Sequence, residues 1–346
     1  KESEVSVHSE KISISKNYIA INLKDNNFKF NSDKKYSFVS KLNTNFSQLS
    51  NFLNQFEDLN LSNIPTGDLE GNVDLKIALE NTYQYNQPFK YKVEGKLNNF
   101  YYQKKEKEFP IKIENLNGNL YFEDGRLKVS GNAEINNSSS NIEIKLTKNE
   151  KLFIDIDSIA SASSFNFLNE YNFLKSGTTN LKISIEKDNL LDENWSAQFD
   201  GDLYNNNVEI DQVLYNKKEK EKGYLKASYY FEGGNLKKVE NLTLITDDII
   251  IRGDIILDEK GFLKKIDIKE FIRELDNYQA LISFEERKNI ELFITGSSIN
   301  INNYFRDSKN DNFNSSIKIE TDKLYLNGIN FGSTKLESSV KRNEIS

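Results

Sequence analysis

The stretch IENLNGNLYFEDGRLKVSGNAEINNSSSNIEIKL, residues 113–146, decides the fold. Taken two residues at a time, Leu116, Gly118, Leu120 and Phe122 fall on one face. Glu123-Asp124-Gly125 supplies a turn, and Leu127, Val129, Gly131, Ala133 and Ile135 bring the apolar face back. Asn136–Ser140 reads as a second turn. Ile142, Ile144 and Leu146 then form a third strand, and Leu152, Ile154 and Ile156 a fourth. A period of two, punctuated by turn residues, is the signature of antiparallel strands that bury one face. Val129, Ala133, Ile135, Ile142, Ile144, Leu146, Ile154 and Ile156 are therefore predicted to share a concave apolar face. Lys128, Glu134, Glu143, Lys145 and Asp155 are predicted to point the other way, because a one-residue slip would bury every charge in the set.

Working outward, residues 11–42 read as short strands at Lys11–Ser15, Tyr18–Leu23, Asn27–Phe30 and Tyr36–Leu42. Phe46, Leu49, Phe52, Leu53 and Phe56 change to helical spacing, predicting a helix over 46–56 that ends before Pro65-Thr66-Gly67. Leu69–Leu79 and Phe89–Leu97 alternate again. The charged runs Lys104–Glu108 and Lys217–Lys222 read as solvated hairpin tips. A second helix is predicted at 164–173 and a third, short one at Ile299–Phe305. Between them Tyr278–Glu286 and Ile290–Gly296 form a hairpin, and strands at Ser315–Leu326 and Ile329–Glu337 follow.

Several phrases recur. Asn51-Phe52-Leu53-Asn54 returns as Asn166-Phe167-Leu168-Asn169, and Val93–Leu97 is answered by Phe199–Leu203. Phe122–Leu127 is answered by Phe231–Leu236, and Val129-Ser130-Gly131-Asn132 by Ile251-Arg252-Gly253-Asp254. A repeat of roughly 110 residues implies one unit stacked on itself. The expected organisation is a leading meander over 1–45, a first repeat over 46–160, a second over 161–298 and the start of a further one over 299–346. Amphipathic strands can hide their apolar faces in a sandwich or in a curled trough. Gly95, Gly118, Gly131, Gly201 and Gly253 lie on or beside the apolar rows, where glycine favours bending of a sheet. The fold class read from this is mainly β: an elongated, curled antiparallel sheet forming a hydrophobic groove from tandem repeats, with a few short helices.

Composition narrows the function. Of 346 residues, 37% are hydrophobic, and 46 basic against 53 acidic residues give a net charge of -7. The two signs are interspersed, without the basic face that nucleic-acid binding needs. Cysteine is absent, which removes disulfides, thiol catalysis and cysteine metal sites. Methionine is absent too, so the sequence reads as part of a longer or processed polypeptide. No apolar run reaches about 18 residues, so any membrane anchor is expected outside it. His8, the one histidine, reads as an exposed strand residue rather than a base or ligand. Asp155/Asp157 and Asp247-Asp248 read as a solvated face and a turn, and no spacing matches a calcium loop. Trp195 reads as a core anchor before a ligand-stacking residue. There is no phosphate-binding glycine loop and no nucleophile elbow. No catalytic site, metal or cofactor is expected.

The phrasing G-x-L-x-F at Gly118–Phe122, a turn, then L-x-V-x-G at Leu127–Gly131 resembles the AsmA-like superfamily, most closely its YhdP branch of bacterial envelope proteins. Phe46–Leu79, Gly223–Ile256 and Ile290–Ile301 extend the likeness over some 250 to 300 residues, about three quarters of the chain or more. The charged run Asn216–Lys222 departs from it. The resemblance implies a periplasmic bridge of a Gram-negative bacterium, held in the inner membrane by an N-terminal helix. Its groove would carry phospholipid acyl chains toward the outer membrane, and the eight apolar residues named above would contact lipid. About 20 strands at about 4.8 Å each would make a groove on the order of 90 Å long. Two functions stay open: lipid transfer, and a structural or adhesive β array with a closed, dry core.

Overall fold

The computed structural model describes residues 4–16, 19–31, 35–45, 68–82, 90–104, 111–123, 125–149, 151–161, 174–189, 193–210, 215–285, 289–303 and 314–340. The chain is mainly β with almost no helix, and its antiparallel-rich sheet is not closed into a barrel. No described helix is long and apolar enough to cross a membrane. Two compact units divide the chain: Lys1–Ser158 with Ile185–Asp192, and Ile159–Ser184 with Glu193–Ser346. The helices predicted at 46–56 and 164–173 lie outside the described residues, as does most of the Lys104–Glu108 run.

The first unit is a meander of β1 (Glu4–Lys16), β2 (Ile19–Asn31), β3 (Lys35–Asn45), β4 (Asp68–Thr82), β5 (Lys90–Lys104), β6 (Ile111–Glu123), β7 (Arg126–Ile135), β8 (Ser138–Leu146) and β9 (Leu152–Ser161), whose last residues, from Ile159, belong to the second unit. From β1 to β8 each strand pairs antiparallel with the next. The strands predicted at Tyr18–Leu23 and Asn27–Phe30 are one strand, β2. Its Lys24–Asn27 segment is a bulge, not a turn, with Asp25 at φ 52°. Asn26 turns inward there, buried, and donates from Nδ2 to Ser9 O (3.1 Å) and Leu23 O (3.3 Å), while Ser40 Oγ donates to Asn26 Oδ1 (2.7 Å). The turn predicted at Asn136–Ser140 is also shorter than read. Asn136 and Asn137 adopt φ 48° and 64°, a two-residue turn whose twist matches that of the strands. Ser138 and Ser140 are thus already in β8, both buried.

Further bulges interrupt the ladders. Asn99 sits at φ 53°, and its N–H donates to Asn117 Oδ1 across the ladder (3.0 Å). Asn241 repeats the device at φ 54°, its N–H donating to Asp254 Oδ1 (2.9 Å). Glycine accompanies both because neighbouring backbones come too close for a side chain. A Cβ on Gly131 would lie 2.3 Å from Asn117 O, and one on Gly253 would lie 2.4 Å from Asp267 O.

The second unit contains β10 (Leu174–Lys187), β11 (Trp195–Asp202), β12 (Asn206–Ile210), β13 (Tyr215–Lys217), β14 (Gly223–Glu232), β15 (Asn235–Thr246), β16 (Ile250–Leu257), β17 (Leu263–Arg273), β18 (Asp276–Glu285), β19 (Asn289–Asn300), β20 (Asn314–Thr321), β21 (Leu324–Leu326), β22 (Ile329–Asn330) and β23 (Thr334–Val340). The last residues of β10, from Ile185, belong to the first unit. Strands β14 to β19 form an antiparallel meander, and β20 then lies parallel to β19. The predicted hairpin of Tyr278–Glu286 and Ile290–Gly296 is β18 and β19. Ile299 and Asn300 complete β19, and a 3-10 turn occupies Ile301–Asn303, where the sequence predicted the start of a helix. The two long strands predicted near the end are each broken, at Asp322-Lys323 and around Gly332 (φ 73°).

Of the repeated phrases, the glycine pair does not occupy equivalent strands. Val129–Asn132 lies on β7, directly after the turn that follows Phe122, whereas Ile251–Asp254 lies on β16, one strand beyond the hairpin that follows Phe231. The shared glycine phrase marks a place where adjacent backbones approach closely, and that need recurs at independent positions. Trp195, expected as a core anchor, is half-buried and stacks on its cross-strand partner Phe231 at 3.7 Å and 4°.

One end of the second unit is shut. Leu203, Val208, Ile249, Phe271 and Ile299 are at most 1% exposed and share a cluster with Tyr215, Tyr278 and Leu324. Tyr215 comes from the β12–β13 hairpin and donates its hydroxyl to Thr246 Oγ1 at the end of β15 (2.5 Å). Burial pushes the Tyr215 hydroxyl above its ordinary range. Phe271 and Tyr278 stack at 4.6 Å.

Candidate functional site

The candidate site is the apolar face of the first unit. Strand pairing aligns Leu23, Leu42, Leu75, Gly95, Leu120, Val129 and Ile144 as successive cross-strand partners, one from each of β2 to β8. Six interstrand steps of about 4.8 Å make this row roughly 29 Å long. A second row runs Ile77, Val93, Phe122, Leu127, Leu146, and a third Val73, Leu97, Gly118, Gly131, Ile142. Each row crosses the strands at right angles, so neither its length nor its continuity can be read along the chain.

Of the eight predicted residues, Val129, Ala133, Ile135, Ile142, Ile144, Ile154 and Ile156 come together in one cluster with Leu23, Leu42, Leu97 and Leu116. Leu146 stands outside that cluster, half-buried, paired with Leu127. Ile142 is 3% exposed, whereas Ile113, Leu120, Leu127, Ile135, Ile144, Ile154 and Ile156 are half-buried. The face therefore has a well-covered floor and partly open ground beside it. Hydroxyls replace the apolar groups at the far end of β8 and β9, where Ser140 Oγ donates to Ser138 O and meets Ser158 Oγ, each at 2.9 Å.

The predicted charges occupy the opposite face. Lys128 pairs with Glu143 (2.5 Å), and Lys145 with Glu143 (3.3 Å) and Asp155 (3.8 Å), while Glu134 is exposed. The Lys128 ammonium holds the Glu143 carboxyl below its ordinary value, slight desolvation acting against it and Lys145 with it. Lys92–Glu94 and Lys112–Glu114 continue this pairing along β5 and β6.

Two groups of residues were not named as site candidates from the sequence. Leu23, Leu42, Leu97, Leu116 and Leu120 belong to the same face, and for Leu116 and Leu120 the alternation that exposed Val129 was available. In the second unit Ala197, Tyr229, Val239, Ile255, Ile266, Ile282, Leu292 and Ile317 line up as cross-strand partners. Their alignment passes register shifts on both sides of β15, which sequence periodicity cannot number.

Among the described residues no group of three or more His, Cys, Asp or Glu side chains is placed to hold a metal. No protein-family model, curated protein or solved structure matches the chain. The likeness to the AsmA-like superfamily thus rests on the sequence phrases alone.

Proposed function

We propose that this chain is a lipid-binding and lipid-transfer segment of a bacterial envelope bridge, not an enzyme, and that the apolar face of its first unit is the track for phospholipid acyl chains. The observation that carries the reading is the row from Leu23 to Ile144, apolar or glycine on every strand it crosses and half open along part of its course. Hydrophobic attraction is non-directional and scales with area, so each buried methylene contributes about 0.8 kcal/mol wherever along the row it lies. A chain can then slide with little change in free energy, and no catalytic group is required. The ion-paired opposite face keeps the sheet soluble in an aqueous periplasm, the compartment and the two membranes being those the resemblance implies.

The shut cluster around Leu203 favours a second reading, a structural or adhesive β array with dry cores. Native mass spectrometry of the purified protein separates the two. Phospholipid adducts that disappear on denaturation are expected for a transfer segment. A lipid-free protein that also fails to take up phospholipid from vesicles would establish the structural array instead.

A further inference from the structure

Among the described residues the most unusual side chain is Lys217, the last residue of β13, which the sequence placed on an exposed hairpin tip. It is fully buried, at 0% exposure. Its Nζ donates to Leu203 O (2.7 Å), Asn206 O (3.0 Å) and Lys218 O (3.0 Å). Among the described residues no carboxylate lies within ion-pair distance of it. Three converging carbonyl oxygens match the three N–H donors of an ammonium, whereas a neutral amine has two.

Local chemistry explains why the carbonyls converge. The Lys218 N–H donates to Glu221 Oε2 (2.9 Å), the Glu219 N–H to Asn207 Oδ1 (2.9 Å) and the Lys222 N–H to Asp247 Oδ2 (3.2 Å). Side chains thus take three N–H groups of the β13–β14 turn, the Lys220 N–H donates to Tyr204 O (2.7 Å), and the Lys218 oxygen receives only a long bond from the Glu221 N–H (3.4 Å) beside that from Lys217. Leu203 and Asn206 bound the β11–β12 turn and supply the other two oxygens. Gly223 clears a path for the lysine stem, since a Cβ there would lie 2.6 Å from Lys217 Cε. Burial lowers the Lys217 ammonium from its ordinary range, and the more distant carboxylates of Glu221, Asp202, Asp247 and Glu219 act against that shift.

We propose that the two turns form a carbonyl-lined cation site, specific for a primary ammonium or a monovalent cation of similar size, which Lys217 occupies from within. The Leu203 oxygen also accepts from the Asn206 N–H (3.0 Å), but three carbonyl dipoles that converge on one point still favour a positive charge among them. The tethered ammonium therefore holds together the two turns that close the shut end of the second unit, where Leu203 and Val208 are buried.

The test removes the tether and offers the cation back. Lys217→Ala is expected to lower Tm by about 10 °C in sodium chloride. Ammonium or methylammonium chloride at equal ionic strength should restore several degrees, and tetramethylammonium, too large for the site, should restore none. Wild type should not distinguish the salts. Lys217→Met, matched in length and uncharged, should be as unstable as the alanine variant and indifferent to ammonium. If the alanine variant does not fold in sodium, its refolding yield by far-UV circular dichroism in ammonium against tetramethylammonium gives the same reading. A methionine variant as stable as wild type, or an alanine variant that responds equally to every salt, overturns the proposal.

Discussion

Ile144 and Leu203 are aliphatic residues of similar size, and both lie in sheets built by the same two-residue alternation, yet they meet different fates. Ile144 lies half-buried on the face of β8, between Val129 and the isoleucines of β9, whereas Leu203 is wholly enclosed at the end of β11. The difference does not come from the strands. Leu203 is enclosed because the β12–β13 hairpin brings Val208 and Tyr215 over that end and is itself fastened by Lys217, Asn206 and the Tyr215–Thr246 hydrogen bond. An apolar strand face becomes a core when polar turns are anchored across it, and stays available as a surface where they are not.

The hardest test of this contrast puts the same charge in both places. Leu203→Asp strands a carboxylate where water cannot reach, and should cost about 4 kcal/mol or more, enough to abolish cooperative unfolding of the second unit in a denaturant titration. If that variant folds normally, the shut end is not shut. The next largest effect belongs to the first unit. Gly131→Val drives a side chain into Asn117 O and Gly118 Cα, which can yield only by separating β6 from β7. A loss of about 3 kcal/mol is expected, read from the urea midpoint. An unchanged midpoint would mean that the close approach of these strands is dispensable.

Ile144→Asp should cost less, about 1 to 2 kcal/mol, because water can partly solvate the carboxylate on a half-open face. Its main effect should be on cargo. An acyl chain cannot solvate that charge, so phospholipid recovered from the purified variant should fall well below wild type while Tm moves by a few degrees. A variant that unfolds as completely as Leu203→Asp would erase the distinction between the two regions. One that keeps both fold and lipid would move the track away from Ile144.

How much of this was legible follows from the same residues. The alternation in residues 113–156 named the apolar set and the charged set, since a period of two is local information. The rows were not legible, because a row is made of partners from successive strands, and bulges at Asp25, Asn99 and Asn115 change the count between them. Ser138–Ser140 read as a turn because serine favours turns, but the two asparagines before them complete the turn by themselves. Lys217 was misplaced for a comparable reason. In a run of lysines and glutamates nothing in the sequence marks the one whose stem passes over Gly223.

The smallest effect probes the charged face that backs the track. Glu143 is ion-paired with Lys128 and Lys145, and its carboxyl is held below the ordinary glutamate value of 4.5. A carboxylate whose folded value lies below its unfolded one stabilises the protein above the unfolded value, and that contribution is lost as pH falls through the folded value. Stability should therefore decline on acidification below about pH 4.5, and Glu143→Gln should remove Glu143's share of the decline. Both lysines are largely solvated, so that share is about 0.5 kcal/mol, shrinking further in high salt. Urea midpoints of wild type and Glu143→Gln, compared at neutral pH and again at acid pH, give the measurement. The gap should be present at neutral pH and close on acidification. A gap that persists in acid would mean the glutamine disturbs the packing of β8 rather than its charge.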